Sequence, residues 1–137
     1  MNINQLSGLS LEKKDLMINE RSNAVVFEPD LLFSSRIEGQ AAKTGVNVKV
    51  VTDYDELLRE LRESVPRFLA IDLDALEGEL ASLGDAIRGK SCVSVGYYSH
   101  VNTRLAEDAK RYGIDMIMTR SAFVNRIGEI LVRVSRG

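Results

Sequence analysis

Four carboxylates stand directly after short apolar runs. Ala24-Val25-Val26-Phe27 leads into Glu28-Pro29-Asp30, and Phe68-Leu69-Ala70-Ile71 leads into Asp72-Leu73-Asp74. An apolar run of four closed by acid and proline reads as a buried strand reaching the surface, so the carboxylates beyond it are held by ordered backbone. Glu28 and Asp30 from one strand end, facing Asp72 from another, could share a hard cation such as Mg2+, which prefers carboxylate oxygen. Such a cation would also stabilise an aspartyl-phosphate, in which a carboxylate is the nucleophile. The plainer role for the same groups is to cap helices and face water.

Two further groups of residues follow apolar runs. Gly96, Tyr97, Ser99 and His100 come after Cys92-Val93-Ser94-Val95, and Thr119, Arg120 and Ser121 come after Met116-Ile117-Met118. At a helix start, Arg120 and Ser121 offer a guanidinium, a hydroxyl and free N–H groups, which makes them the candidate anion-binding pair. The competing assignment is an N-cap at Ser121 and a salt bridge from Arg120 to Asp72 or Glu28. His100 is the single histidine, and acid–base work needs a positioned second group. Neither a Walker loop nor a GxGxxG follows the first strand, which disfavours nucleotide-cofactor enzymes. The chain is therefore read as having no catalytic residues, and no cofactor unless phosphorylated Asp72 recruits Mg2+.

The elements that must position these groups are legible as alternating periodicities. Phe33, Ile37 and Ala41 form a helical stripe ending at Gly45. Val46, Val48 and Val50 alternate with Asn47 and Lys49, as expected of a strand with one wetter face at a sheet edge. Asp53 and Glu56 form an acidic variant of the capping box for a helix carrying Tyr54, Leu57, Leu58 and Leu61, which ends before Pro66. Continuous burial places Phe68–Ile71 in mid-sheet. Leu76, Leu80, Leu83 and Ile87 recur at helical spacing, with Gly78 and Gly84 interrupting. The fourth strand is Cys92–Val95, broken by Gly96. Val101, Leu105, Ala109 and Tyr112 share a helical face, and Ser121 is read as the N-cap of a last helix carrying Phe123, Ile127, Ile130, Leu131 and Val134.

Five strands alternating with helices imply parallel pairing through right-handed crossovers. The expected fold is α/β and doubly wound: a flavodoxin-like three-layer sandwich with strand order 2-1-3-4-5, and its functional edge at the carboxyl ends of the strands. Residues 22–137 form this domain. Residues 1–21 fall outside it and are read as an N-terminal extension, mobile or docking, or as a short helix.

Bulk properties narrow the function classes. The 137 residues suffice for one core. With 18 basic and 20 acidic residues the formal charge is −2, which gives no general attraction to nucleic acid or an anionic membrane. One cysteine, Cys92, excludes an internal disulfide framework. No segment has the length of a signal peptide core or the roughly 20 apolar residues of a membrane span, so a cytoplasmic location is expected.

With these residues in place, the chain resembles the receiver domain of two-component response regulators over roughly residues 23–136. The resemblance implies an acidic pair on the first strand that binds Mg2+, a phosphoaccepting Asp on the third, a sensing hydroxyl on the fourth and a Lys on the fifth. Carried over, the phosphoacceptor falls on Asp72 and the acidic pair on Glu28 and Asp30, split by Pro29. The hydroxyl position falls on Gly96 and the Lys position on Thr119, with Arg120 beside it. The pattern Asp30-Leu31-Leu32-Phe33-Ser34-Ser35-Arg36-Ile37 and Arg120-Ser121-Ala122-Phe123 resembles a divergent, receiver-like subfamily. The expectation is a pseudo-receiver working through protein contacts. The alternatives are a phosphoaccepting receiver using Asp72 with Mg2+, and a small-molecule-binding flavodoxin-like domain. Receivers commonly dimerise across helix four, strand five and helix five; here that face would present Asn102, Arg104, Asp108, Arg111, Arg126 and Arg133 to a second copy.

Overall fold

The computed structural model describes residues 24–76, 78–99 and 103–136. The expected extension over residues 1–21 therefore lies outside the described residues, as do His100, Val101 and Asn102. Strand β1 (Ala24–Phe27) leads to helix α1 (Leu31–Ala42), β2 (Val48–Val51), α2 (Tyr54–Glu63) and β3 (Phe68–Asp72). A 3-10 turn (Leu73–Leu76) precedes α3 (Leu80–Ile87), β4 (Val93–Tyr98), α4 (Thr103–Arg111), β5 (Met116–Thr119) and α5 (Arg120–Arg136). All neighbouring strands pair in parallel, in the order β2-β1-β3-β4-β5.

Strand parity sorts the core into two layers. Ala24, Val26, Phe68, Ala70, Val95 and Tyr97 face α1 and α5, meeting Phe33, Ile37, Phe123, Ile127 and Leu131. Val25, Phe27, Leu69 and Ile71 face the opposite way, toward Leu57 and Leu61 of α2 and Leu80, Leu83 and Ile87 of α3. In β2, Val48 and Val50 are half-buried and Lys49 is exposed, as expected for an edge strand.

Local capping follows the side chains available. Asp30 accepts from the Leu32 and Phe33 N–H groups at 2.9 and 3.3 Å, starting α1. Asp53 accepts from Glu56 N–H at 3.3 Å, starting α2, which stops at extended Ser64 two residues before Pro66. The cap of α5 differs from the sequence expectation. Thr119 Oγ1 accepts from Ala122 N–H at 3.2 Å, while Ser121 lies exposed inside the first turn. Helical geometry begins at Arg120, two residues earlier than a cap at Ser121 implies, which moves the cap onto the last residue of β5.

Gly96 also behaves differently from expectation. It does not break β4; the strand continues to Tyr98, with Gly96 paired opposite Ile71. A Cβ at Gly96 would stand 2.8 Å from Leu73 Cδ1, so glycine here makes room for the buried Leu73 side chain. The strand starts at Val93, leaving Cys92 half-buried just before it.

Gly84, which weakened the helical reading of α3, has a packing reason. A Cβ there would lie 2.8 Å from the Tyr112 carbonyl oxygen and 2.9 Å from Tyr112 Cβ. Gly84→Ala improves helix propensity by about 1 kcal/mol but forces α3 off backbone that has little room to yield, at roughly 1–3 kcal/mol. Equilibrium urea unfolding is expected to show a net loss; a gain would mean that α3 relaxes freely. Among the described residues, no helix is long and apolar enough to cross a membrane.

Candidate functional site

The carboxyl ends of β1, β3, β4 and β5 converge on one buried carboxylate, Glu28. Its own N–H extends the sheet by donating to Val51 O at 2.9 Å. Its side chain points into the layer shared with α1 and α5 and is 0% exposed. Burying a carboxylate is tolerable only with donors around it. Three are present: Tyr97 Oη donates to Oε1 at 3.0 Å, Arg120 Nη2 donates to the same oxygen at 2.9 Å, and Asp30 N–H donates to Oε2 at 3.0 Å.

Arg120 is the cation of the site. Its Nη2 also lies 3.7 Å from Asp30 Oδ2, and its guanidinium carbon stands 3.9 Å from the centroid of the Phe33 ring. The ring face adds a cation–π contact on the side away from the carboxylates. Burial works against the guanidinium's charge, but the hydrogen bond to Glu28 and the charges of Glu28, Asp72 and Asp30 outweigh it, so the pKa rises. Among the described residues the buried Arg120 Nε has no hydrogen-bond partner, and Nη2 is the atom that meets the acids.

Asp72 ends β3 beside this pair and is buried, 8% exposed. Its Oδ1 accepts from Asp74 N–H at 3.1 Å. Burial, first, and then the charge of Glu28 and a hydrogen bond with it push the Asp72 carboxyl up to about 7, with Arg120 pulling the other way and Asp74 adding to the rise. Near neutral pH the Asp72 carboxyl is thus partly protonated, beside the Arg120 guanidinium that pairs with Glu28.

Tyr97, one of the residues after the fourth apolar run, belongs to the site through its hydroxyl. Its ring packs in the core: it stacks on Phe123 at 4.4 Å with a 9° interplanar angle and meets Phe33 at 5.7 Å. Its hydroxyl is nevertheless spent on Glu28, and burial together with the neighbouring acids drives its pKa up, so it acts only as a donor. The available signal was register. Tyr97, not Gly96, is the partner of Asp72 across β3 and β4, and a phenol is long enough to reach back to the strand-one acid.

The remaining sequence candidates are distributed as follows. Asp74 turns away from the acids and accepts from both Ser99 N–H and Ser99 Oγ at 2.8 Å, tying the β3 end to the β4 end. Of the candidate anion-binding pair, the Arg120 guanidinium is engaged by Glu28 and Asp30 and Ser121 is on the surface. Among the described residues, no three carboxylate, cysteine or histidine side chains are grouped to hold a metal ion. Of the candidate interface residues, Arg104, Arg111, Arg126 and Arg133 are exposed and Asp108 is half-buried. Arg111 pairs with Asp108 at 3.3 Å and Arg133 with Glu129 at 3.0 Å.

No protein-family model and no curated protein matches the chain. Solved structures do match. A response regulator from Burkholderia pseudomallei, solved with a phosphorylated aspartic acid and a calcium ion, superposes with a TM-score of 0.69 at 18% identity, over 84% of this chain and 69% of its own. The chain has the receiver fold. The signal receiver domain of NarL from Mycobacterium tuberculosis superposes on it with a TM-score of 0.70 at 15% identity, over 85% of this chain and 97% of the other. A pilus assembly protein of Burkholderia thailandensis matches at a TM-score of 0.61 and 17% identity, over 85% of this chain and 99% of its own. In this fold the cluster of Glu28, Asp72, Tyr97 and Arg120 lies at the carboxyl ends of the strands.

Proposed function

We propose that this chain is a pseudo-receiver, a signalling or protein-interaction module of the cytoplasm whose strand-end site no longer runs a phosphorylation cycle. The observation that carries this reading is the 2.9 Å pair between Arg120 and fully buried Glu28, with Asp72 alongside. A guanidinium fixed between Glu28 and Asp30 supplies the positive charge that a divalent cation would bring, so Mg2+ does not fit these residues as they stand. A carboxyl that is protonated through much of the neutral range is also a weak nucleophile toward a phosphoryl donor.

The competing reading is a phosphoaccepting receiver, supported by the retained carboxylate at the tip of β3. The wild-type chain incubated with Mg2+ and acetyl phosphate, or with Mg2+ and beryllofluoride, is expected to show no phosphoryl mass increase and no Mg2+-dependent change in thermal unfolding. Covalent phosphate on wild type that Asp72→Asn abolishes would replace the pseudo-receiver reading.

Signalling then rests on surface contacts, and the face of α4, β5 and α5 is the proposed site of self-association. Its exposed Arg104, Arg126 and Arg133 lie beside Asp108 and Glu129, a mixed-charge surface suited to a twofold contact. Sedimentation velocity is expected to show a monomer–dimer equilibrium weakened by Arg104→Glu with Arg126→Glu. A wild-type chain that stays monomeric through the high micromolar range would exclude this face as a homodimer contact.

A further inference from the structure

At the opposite pole of the sheet, the α3–β4 and α4–β5 connections enclose a half-open pocket of about 290 Å³. We infer that this pocket is a binding site for a small phosphate monoester, no larger than a mononucleotide. It lies at the amino ends of β4 and β5, so the acids of the receiver edge take no part in it.

Three cationic side chains line the pocket: Arg88 and Lys90 from one connection and Arg111 from the other. Asp115 is the acid on its wall, and that carboxylate is already committed, its Oδ2 accepting from Ser94 N–H at 2.8 Å and Ser94 Oγ at 3.1 Å. The lining therefore carries a net charge of about +2, the complement of a phosphate monoester dianion. Arg88 and Arg111 are held by Asp85 and Asp108 at 3.0 and 3.3 Å, one helical turn away on their own helices. These are surface pairs with arginines 74% and 68% exposed, cheap to exchange for a better acceptor. Lys90 is exposed beside them.

The shape is set by close backbone packing. The approach of Gly84 to Tyr112 brings α3 against the α4–β5 connection and holds the two halves at fixed separation. At Gly89 and Gly113, both with positive φ, a Cβ would meet nothing within 4 Å, so the turns leave open space beside the cations. Cys92 lines the same pocket, but burial and then the charge of Asp115 push its thiol up to about 12, so the ligand is held without covalent chemistry.

The test is an amide-shift titration of the isotopically labelled full chain by NMR with inorganic phosphate and with adenosine monophosphate, against sodium chloride at matched ionic strength. The expected result is saturable shifts centred on Gly89, Lys90 and Gly113, absent with chloride. Affinity should fall at least about tenfold in Lys90→Gln with Arg111→Gln, where two of three charge-assisted contacts are removed. Saturation by the mononucleotide alone would assign the organic part of the ester to the pocket; saturation by both would assign the phosphate. Shifts absent, equal to those from chloride, centred on Asp72, or unchanged in the double variant would overturn the assignment. The substituted side chains project into solvent, and a circular dichroism melt of the variant separates lost binding from lost fold.

Discussion

Arg120→Met is expected to destabilise the fold by roughly 3–5 kcal/mol, because it leaves a carboxylate buried without its cation. Glu28 is 0% exposed and would retain neutral donors, the Tyr97 hydroxyl and the Asp30 N–H, but no cation. Methionine keeps much of the volume over the Phe33 ring, so the loss reports charge more than packing. A domain of this size has a total stability of about 5–15 kcal/mol, and the change should be obvious in urea unfolding. Glu28→Gln in the same background should recover much of the loss, since an amide no longer needs a cation. A single-variant loss below about 1 kcal/mol would show that the pair behaves as an exposed ion pair, and the account of the site would fail.

The second large effect is on the pH dependence of stability. The Asp72 carboxyl is raised from 3.8 in the unfolded chain to about 7 in the fold. The folded state therefore binds this proton more tightly, and the contribution of Asp72 is fully present below about pH 4 and lost as pH rises through 7. Asp72→Asn keeps a neutral side chain at every pH. It is expected to match wild type near pH 4 and to exceed it at pH 8 by roughly 2 kcal/mol, a value set below the full shift because solvent reaches part of the group. Unfolding free energies of both proteins across pH 4–8 measure this directly, and titrations common to both cancel in the difference. Equal slopes for the two proteins would mean that Asp72 ionises normally, which would revive it as a nucleophile.

Together these outcomes define a site stabilised in one state. The cation is covalently part of the chain, the buried acid is paired with it at 2.9 Å, and the strand-three carboxyl is raised to about 7. The ring of Tyr97, stacked on Phe123 of α5, joins that site to the helix whose outer side bears Arg126 and Arg133. Loss of the Arg120–Glu28 pair should therefore be felt along α5.

The sequence by itself determined the order and kind of the elements. Runs such as Phe68–Ile71 admit little but a doubly covered strand, the Phe33, Ile37 and Ala41 stripe admits little but a helix, and Asp30, Asp53 and Pro66 mark boundaries through local backbone chemistry. Sheet order followed from the same evidence, since only β2 alternates and must lie at an edge. The sequence also brought Glu28, Asp30, Asp72 and Arg120 to one sheet edge, because parallel strands place all their carboxyl ends together.

Tertiary structure alone decided what those residues do to one another. Whether the acids gather a metal or a guanidinium depends on where the Arg120 side chain comes to rest, and that is fixed by the Phe33 ring and the buried Glu28. Whether glycine breaks β4 depends on Leu73, which needs the space a Cβ would fill. The role of Tyr97 depends on its register against Asp72 and on a hydroxyl reaching Glu28, a residue 69 positions away. Local pattern carries propensity and periodicity, whereas contacts between distant residues exist only once the sheet has assembled.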